Sequence, residues 1–172
     1  MGNKIAFMGV GAVGGYAGAH MVQAGEDVTF IDPWPAHVEK MQRDGLKISH
    51  IRDVPDFTVK VRAMHVTDAQ QLAKERPIDI AFVCMKSYDT EWAATLISQY
   101  LAPGGFIVSL QNCMNEETIA GVVGWARQWA ASPARSRWIC ASRATCAVPP
   151  ARAARATRCS APVRCMAASP IA

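Results

Sequence analysis

The sequence predicts an α/β fold whose sheet is doubly wound and mostly parallel, over residues 1–126. Short apolar runs alternate with helix-like segments, a glycine-rich turn follows the first run, and polar residues follow later runs. Strands that alternate with helices are typical of parallel sheets with right-handed crossovers. Because ligands of such sheets collect at the carboxyl ends of the strands, the glycine-rich turn and the polar residues form the candidate site.

The glycine-rich turn has the spacing Gly9-x-Gly11-x-x-Gly14 and precedes a predicted helix over residues 13–24. This pattern is typical of the Rossmann dinucleotide-binding turn. There the first glycine makes the tight turn, the second lets the backbone approach a pyrophosphate, and the third lets the helix pack closely on the strand. The positive end of the helix then attracts the anion. The predicted cofactor-binding residues of this turn are Gly9, Val10, Gly11, Ala12, Val13 and Gly14.

A secretory signal peptide is the alternative interpretation of the same stretch. Its apolar segment would contain five glycines between Gly9 and Gly18 and would lead directly into a charged, strand-like segment. Both features disfavour a signal peptide. Since no run approaches the roughly 18 apolar residues that span a bilayer, we expect a soluble cytoplasmic protein with no membrane partner.

Asp32 ends a second predicted strand, Val28–Ile31, and lies eighteen residues after Gly14. In a Rossmann unit, a carboxylate at about this distance accepts hydrogen bonds from the adenosine ribose hydroxyls. Its negative charge also repels a 2′-phosphate, and the following Pro33 and Trp34 carry no cation to neutralise it. Asp32 therefore predicts NAD(H) as the favoured cofactor over NADP(H).

The remaining elements continue the alternation. The predicted strands are 46–50, 57–63, 78–85 and 106–110, and the predicted helices are 33–45, 68–75, 90–100 and 115–124. Lys86 directly follows the strand at 78–85, and Gln111-Asn112 directly follow the strand at 106–110. In a parallel sheet these residues lie at the same edge as the glycine-rich turn.

These strand ends together resemble the ketopantoate reductase family, the 2-dehydropantoate 2-reductases of pantothenate biosynthesis. The resemblance covers residues 3 to about 125 and is carried by the glycine-rich turn, Val83-Cys84-Met85-Lys86 and Gln111-Asn112-Cys113-Met114-Asn115. It implies an NAD(P)-dependent oxidoreductase that reduces a 2-oxo acid to a 2-hydroxy acid. The family usually takes NADP(H), and His37 and Lys40, one turn beyond Asp32, are the residues able to accommodate its 2′-phosphate.

By this resemblance, Lys86 and Asn112 are the catalytic residues. The resemblance also assigns Met85, Lys86 and Asn112 to cofactor binding. The chemistry is suitable, because an ammonium stabilises charge that develops on a carbonyl oxygen and an amide orients its neighbours. The alternative is that Lys86 is a solvated strand-end lysine and Asn112 a turn-forming asparagine.

The sequence departs from the family in two ways. Cys113 stands where the family usually has glycine, and nothing resembles the helical second domain that carries the family's general-acid lysine. No lysine follows Lys86. We therefore expect the chain to keep the cofactor-binding half and to lack ketone reduction at a useful rate. The alternative function is a non-catalytic dinucleotide-binding or sensing module.

Residues 127–172 differ in composition from the rest of the chain. They contain fourteen Ala, eight Arg, five Pro and four Cys with no acidic residue, whereas residues 1–126 carry ten Lys/Arg and fourteen Asp/Glu. A basic nucleic-acid arm would need interleaved aromatic residues for stacking, and this segment has only Trp129 and Trp138. The spacing of Cys140, Cys146, Cys159 and Cys165 is not the usual zinc spacing. We expect an irregular, out-of-frame or truncated tail without a metal site or specific nucleic-acid partner. The sequence leaves open whether the protein forms a homodimer.

Overall fold

The structure is a computed structural model that describes residues 2–50, 55–130, 139–142 and 145–148. Its strands are β1 (Lys4–Met8), β2 (Asp27–Asp32), β3 (Leu46–His50), β4 (Phe57–Val59), β5 (Arg62–His65), β6 (Ile78–Val83), β7 (Leu101–Ser109), β8 (Gln128–Ala130), β9 (Ile139–Ser142) and β10 (Thr145–Val148). Its α-helices are α1 (Ala12–Gln23), α2 (Pro35–Asp44), α3 (Thr90–Ser98) and α4 (Glu116–Val123).

The main sheet has six strands in the order β5-β2-β1-β6-β7-β8, and every neighbouring pair is parallel. From β1 the chain first builds outward through β2 to β5 and then on the other side through β6 to β8. The reversal of direction falls between β1 and β6, which is the topological switch point of a doubly wound sheet. The predicted Rossmann-type fold is confirmed.

Both faces of the main sheet are buried, as a parallel sheet requires. Alternate side chains of β1 point to opposite faces, so Ala6 and Met8 join one apolar cluster while Ile5 and Phe7 join the other. The first cluster includes residues of α3 and α4, namely Ala93, Ala94, Ile97 and Ile119. The second includes residues of α1 and α2, namely Ala19, Val38 and Met41. The helices therefore sandwich the sheet.

The start of β1 is anchored by a buried lysine. The Lys4 ammonium lies 2.6 Å from a carboxylate oxygen of Glu75 and donates a hydrogen bond of 2.9 Å to the carbonyl of Arg76. Glu75 also accepts hydrogen bonds from both terminal nitrogens of Arg62. Hydrogen bonds from Arg62 and then Lys4 lower the pKa of Glu75 to about 2. The carboxylate thus stays ionised and compensates the buried ammonium.

Two local predictions were wrong in detail. The segment 57–63 was predicted as one strand, but β4 and β5 are separate strands that pair with β3 and β2, respectively. The segment predicted as a helix over 68–75 forms a 3-10 helix over Val66–Lys74. This short helix buries only Ala69 and Leu72, so little apolar surface favours a longer α-helix there.

Three strands fall within the segment 127–172, which was predicted to be irregular. β8 extends the main sheet beside β7. β9 and β10 belong to a second sheet with the order β4-β3-β10-β9, in which β10 runs parallel to β3. Strands therefore continue past the predicted boundary at residue 126, while the rest of the predicted tail, residues 131–138, 143–144 and 149–172, lies outside the described part of the chain.

Candidate functional site

The candidate site lies at the carboxyl edge of the main sheet, beside the switch point. The structure brings four predicted features to this edge: the glycine loop (residues 9–14) after β1, Asp32 at the end of β2, Lys86 after β6 and Asn112 after β7. The segments 84–89 and 111–115, which carry Lys86 and Asn112, are called here the strand-end loops. In doubly wound sheets this crevice is where ligands bind.

Steric constraints explain two of the three glycines in the loop. Gly9 has a φ of +93°, and a Cβ at this position would lie 2.6 Å from the Met85 sulfur. A Cβ on Gly14 would lie 2.1 Å from the Gly9 carbonyl oxygen and 3.0 Å from the Cβ of Cys84. A side chain at either position would therefore push the glycine loop away from residues 84–85, which follow β6, or from helix α1.

Gly11 is different, because a Cβ there would meet no atom within 4 Å among the described residues. Its φ of −73° is also ordinary for any residue. Internal packing therefore does not require glycine at this position. Open space above the backbone of Gly11 fits a group that approaches from outside, such as a pyrophosphate.

The first turn of α1 presents unpaired backbone donors beside that open space. The N–H of Gly15 binds the carbonyl of Gly11 at 2.8 Å, but the N–H groups of Ala12, Val13 and Gly14 have no partner within the described part of the chain. The first turn contains no acidic residue. Together with the positive end of the helix dipole, these donors fit a bound anion.

Asp32 is buried, and both of its carboxylate oxygens are already hydrogen-bonded. One accepts the N–H of Val10 at 2.7 Å and the other accepts the N–H of Trp34 at 2.9 Å. The carboxylate therefore fixes the glycine loop to the end of β2, a role that the sequence interpretation did not include. Since a carboxylate has about four acceptor positions, capacity for further donors remains.

His37 holds the other side of the same peptide segment. Its Nε2 donates a hydrogen bond to the carbonyl oxygen of Val10 at 2.9 Å, and the side chain is buried. Val10 is thus bound through its N–H by β2 and through its carbonyl by α2. The sequence interpretation considered His37 only as a partner for a 2′-phosphate and missed this contact, because nothing in local spacing links residues 10 and 37.

Lys86 lies in the first strand-end loop and is exposed. Among the residues that the structure describes, its ammonium has no hydrogen-bond or ion-pair partner, so it is available to an anionic or carbonyl oxygen. Nearby Cys84 lies against Gly14, and desolvation raises the pKa of its thiol. A thiol with a raised pKa stays protonated and is a poor nucleophile.

The second strand-end loop turns sharply after β7. Asn112 and Cys113 are exposed, and Cys113 has a φ of +74°, the only positive φ of a non-glycine residue within the described ranges. Left-handed backbone costs an L-residue roughly 1–2 kcal/mol. The turn thus has the geometry that suits glycine at a position that carries a cysteine.

Buried amides join the two strand-end loops. The Gln111 Nε2 donates to the carbonyl of Met85 at 2.9 Å and to the Thr90 hydroxyl at 2.8 Å. The Asn115 Nδ2 donates to the Ser87 hydroxyl at 3.2 Å and to the carbonyl of Asn112 at 2.9 Å. The sequence interpretation quoted both amides within a motif but gave neither a role.

The glycine loop, the unpaired helix N-terminus and the switch-point crevice define a Rossmann-type dinucleotide-binding domain. Comparison with known proteins identifies the family. Residues 5–136 match the family described as ketopantoate reductase PanE/ApbA, and the chain belongs to this family.

Curated relatives agree with this assignment. The chain is 34% identical over 114 residues to 2-dehydropantoate 2-reductase of Pyrococcus abyssi, with 66% of this chain and 34% of the relative covered. It is 32% identical over 121 residues to the enzyme of the same name from a Nostoc species, with 70% and 35% covered. The chain thus spans about a third of the length of these relatives.

A solved structure supports the same conclusion. The PanE/ApbA family ketopantoate reductase from Ralstonia eutropha superposes with a TM-score of 0.71 at 30% sequence identity, covering 84% of this chain and 46% of that one. The chain is therefore an NAD(P)-dependent oxidoreductase-like domain by family. In the described ranges, no helix is long and apolar enough to cross a membrane, and no group of three or more His, Cys, Asp or Glu side chains is placed to hold a metal ion.

Proposed function

We propose that this chain binds a nicotinamide dinucleotide and forms the cofactor half of a reductase that converts a 2-oxo acid into a 2-hydroxy acid. The observation that carries the proposal is the combination at the glycine loop of open space above Gly11 with three unpaired N–H groups. The pyrophosphate would lie on Ala12, Val13 and Gly14. The ribose hydroxyls would donate to the remaining acceptor positions of Asp32.

The favoured cofactor is NAD(H). The Asp32 carboxylate repels a 2′-phosphate, and the two side chains considered as compensating partners, His37 and Lys40, already make other contacts. His37 is buried against the Val10 carbonyl, while Lys40 lies 3.0 Å from a carboxylate oxygen of Asp44. Calorimetric titration with NADH and NADPH tests this preference, and tighter binding of NADPH would contradict it.

Lys86 and Asn112 are proposed as the catalytic residues. A bound reduced nicotinamide supplies the hydride for a 2-oxo acid. The Lys86 ammonium would stabilise the negative charge on the substrate's carbonyl oxygen, and the Asn112 amide would hold cofactor and substrate in the reacting orientation. Both side chains are exposed at the carboxyl edge, as this role requires.

Lys86 is the last lysine within the 172 residues, whereas the family resemblance assigns the general-acid lysine to a second domain. Loss of general-acid catalysis typically lowers a rate by about 10²- to 10⁴-fold. We therefore expect binding of the cofactor without useful turnover of ketopantoate. The second candidate function is a non-catalytic dinucleotide-binding or sensing module, which needs only the glycine loop and the unpaired donors beside it.

Turnover of purified protein with NADH, NADPH and ketopantoate tests this expectation. The expected result is cofactor binding with no consumption above that of a Lys86→Ala control. A rate in the common enzyme range of roughly 1 to 10³ per second, abolished in the control, would show that the polypeptide or a partner subunit supplies the missing acid.

A further inference from the structure

We infer that Asn115 and Gln111 are positioning residues that set the spacing between Lys86 and Asn112. This inference rests on the proposed function and adds to it the groups that hold the two proposed catalytic residues in place. Neither amide is placed at the reacting atoms. They act through the backbone of the strand-end loops.

Asn115 joins the loops directly. Its Nδ2 donates to Ser87, next to Lys86, and to the carbonyl oxygen of Asn112. The Ser87 hydroxyl also donates to the same Asn112 carbonyl at 3.4 Å, which closes a triangle of three residues. Asn115 is 6% exposed, so its amide donors have little access to water. Breaking the triangle removes the side-chain link between Ser87 and Asn112, two exposed residues that then depend on water for these hydrogen bonds.

Gln111 also links the two strand-end loops by side-chain hydrogen bonds, closer to the ends of the strands. It is 9% exposed and binds the Met85 carbonyl, one residue before Lys86, and the hydroxyl of the fully buried Thr90 at the start of α3. The Gln111 side chain, just after β7, therefore fixes the first strand-end loop at Met85, near its start, and at Thr90, directly after its end. Movement of Met85 would carry Lys86 with it.

The two loops need such bonds because the ladder hydrogen bonds stop below them. β6 ends at Val83 and β7 ends at Ser109, and the last backbone contacts here join Cys84 to Met8 at 2.8 Å and Leu110 to Val83 at 3.0 Å. Beyond this point the buried amides supply the cross-links. A misplacement of about 1 Å in a positioned group can cost about 10²-fold in rate, so this spacing matters chemically.

The test compares two probe molecules, NADH and ADP-ribose. Both carry the pyrophosphate that would bind at the glycine loop, and only NADH carries the nicotinamide ring. ADP-ribose lacks the nicotinamide ring, whereas NADH places it against the strand-end loops in the proposed function. We expect Asn115→Ala to weaken NADH binding about five- to tenfold, as loss of one or two hydrogen bonds predicts. ADP-ribose binding should stay within about twofold, because the lost bonds are remote from the glycine loop. The fluorescence of bound NADH should shift towards that of the free cofactor.

Asn115→Ser is the second variant, because serine starts a helix as well as asparagine does and protects folding of α4. Its shorter side chain cannot make both bonds. Gln99→Ala is the matched control, since it removes an exposed amide at the C-terminal end of α3, outside the strand-end loops. It should leave the binding of both probes unchanged.

Equal loss of both probes in the variants, or no loss of either, would overturn the positioning role. Wild-type protein that binds NADH no more tightly than ADP-ribose would also overturn it. Wild-type protein that binds neither probe would overturn the proposed function itself. The two failures are therefore distinguishable by whether they occur in the variants or in the wild type.

Discussion

The glycine loop and the strand-end loops lie at the same edge of the sheet but are held in place by different forces. Backbone sterics shape the turn of the glycine loop, where a Cβ on Gly9 or Gly14 would overlap neighbouring atoms, and the side chains of Asp32 and His37 then fix the loop at Val10. Side-chain hydrogen bonds shape the strand-end loops, where Gln111 and Asn115 connect segments more than twenty residues apart. The steric need for glycine can be predicted from the local sequence, whereas the long-range side-chain hydrogen bonds become visible only in the folded structure.

Gly14→Ala gives the largest expected effect and tests the steric side of this comparison. The added methyl would lie 2.1 Å from the Gly9 carbonyl oxygen, so backbone must move. We expect a loss of about 3 kcal/mol in the free energy of unfolding, the upper range for overpacking. Urea denaturation measures it. Gly121→Ala is the control, because the space around this glycine in α4 is open; equal stability of both variants would contradict the steric account.

Glu75→Gln should lower the stability of the whole protein without changing ligand binding at the glycine loop or the strand-end loops. Its partner Lys4 is buried at the start of β1, opposite the candidate site. Loss of the carboxylate should cost roughly 1–3 kcal/mol at pH 7, the penalty for an unsatisfied buried polar group. The ratio of NADH to ADP-ribose affinity should not change, because neither loop is touched.

The ion pair of Glu75 with Lys4 also predicts that the free energy of unfolding decreases as the pH is lowered. The pKa of Glu75 is lowered from 4.5 to about 2 in the folded protein. Its contribution to stability is therefore fully present above pH 4.5 and is lost as the pH falls towards 2. Unfolding free energies measured across this window should fall less steeply in Glu75→Gln than in the wild type. Identical slopes would contradict the pairing.

Cys113→Gly gives the smallest expected effect and tests the turn in the second strand-end loop. Glycine removes the left-handed penalty at a φ of +74° but adds backbone entropy to the unfolded chain. The net expectation is a gain of roughly 0.5–1 kcal/mol in unfolding free energy. Met114→Gly, in the same loop without positive φ, should lose a similar amount. A loss in both variants would mean that the cysteine side chain stabilises the turn.

The sequence predicted the parts of the molecule that local physics decides. β1, β2 and β6 are short apolar runs between breakers, and the glycine spacing specifies the turn after β1. Asp32, Lys86 and Asn112 were placed at the correct edge because parallel strands share a direction. The fold and the position of these three residues at one edge of the sheet were thus accessible from the sequence pattern.

The contacts that hold the site together were not accessible in the same way. The hydrogen bond from His37 to Val10 crosses 27 positions, and that from Gln111 to Thr90 crosses 21. Contacts of amide and imidazole side chains at such separations produce no periodic pattern in the sequence from which they could be predicted. β8 escaped prediction because three residues in an Ala- and Arg-rich context carry too little pattern to identify a strand.

Titration of NADH into wild type, Gly11→Ala and Gly121→Ala tests the central claim most directly. A methyl on Gly11 meets no described atom and its φ of −73° suits alanine, so this variant should fold as the wild type does. The methyl would nevertheless occupy the space where the pyrophosphate approaches the backbone. We predict that wild type and Gly121→Ala bind NADH equally and that Gly11→Ala loses at least about tenfold, or about 1.4 kcal/mol. Absence of NADH binding in the wild type, or unchanged binding in Gly11→Ala with an unchanged unfolding midpoint, would contradict the account.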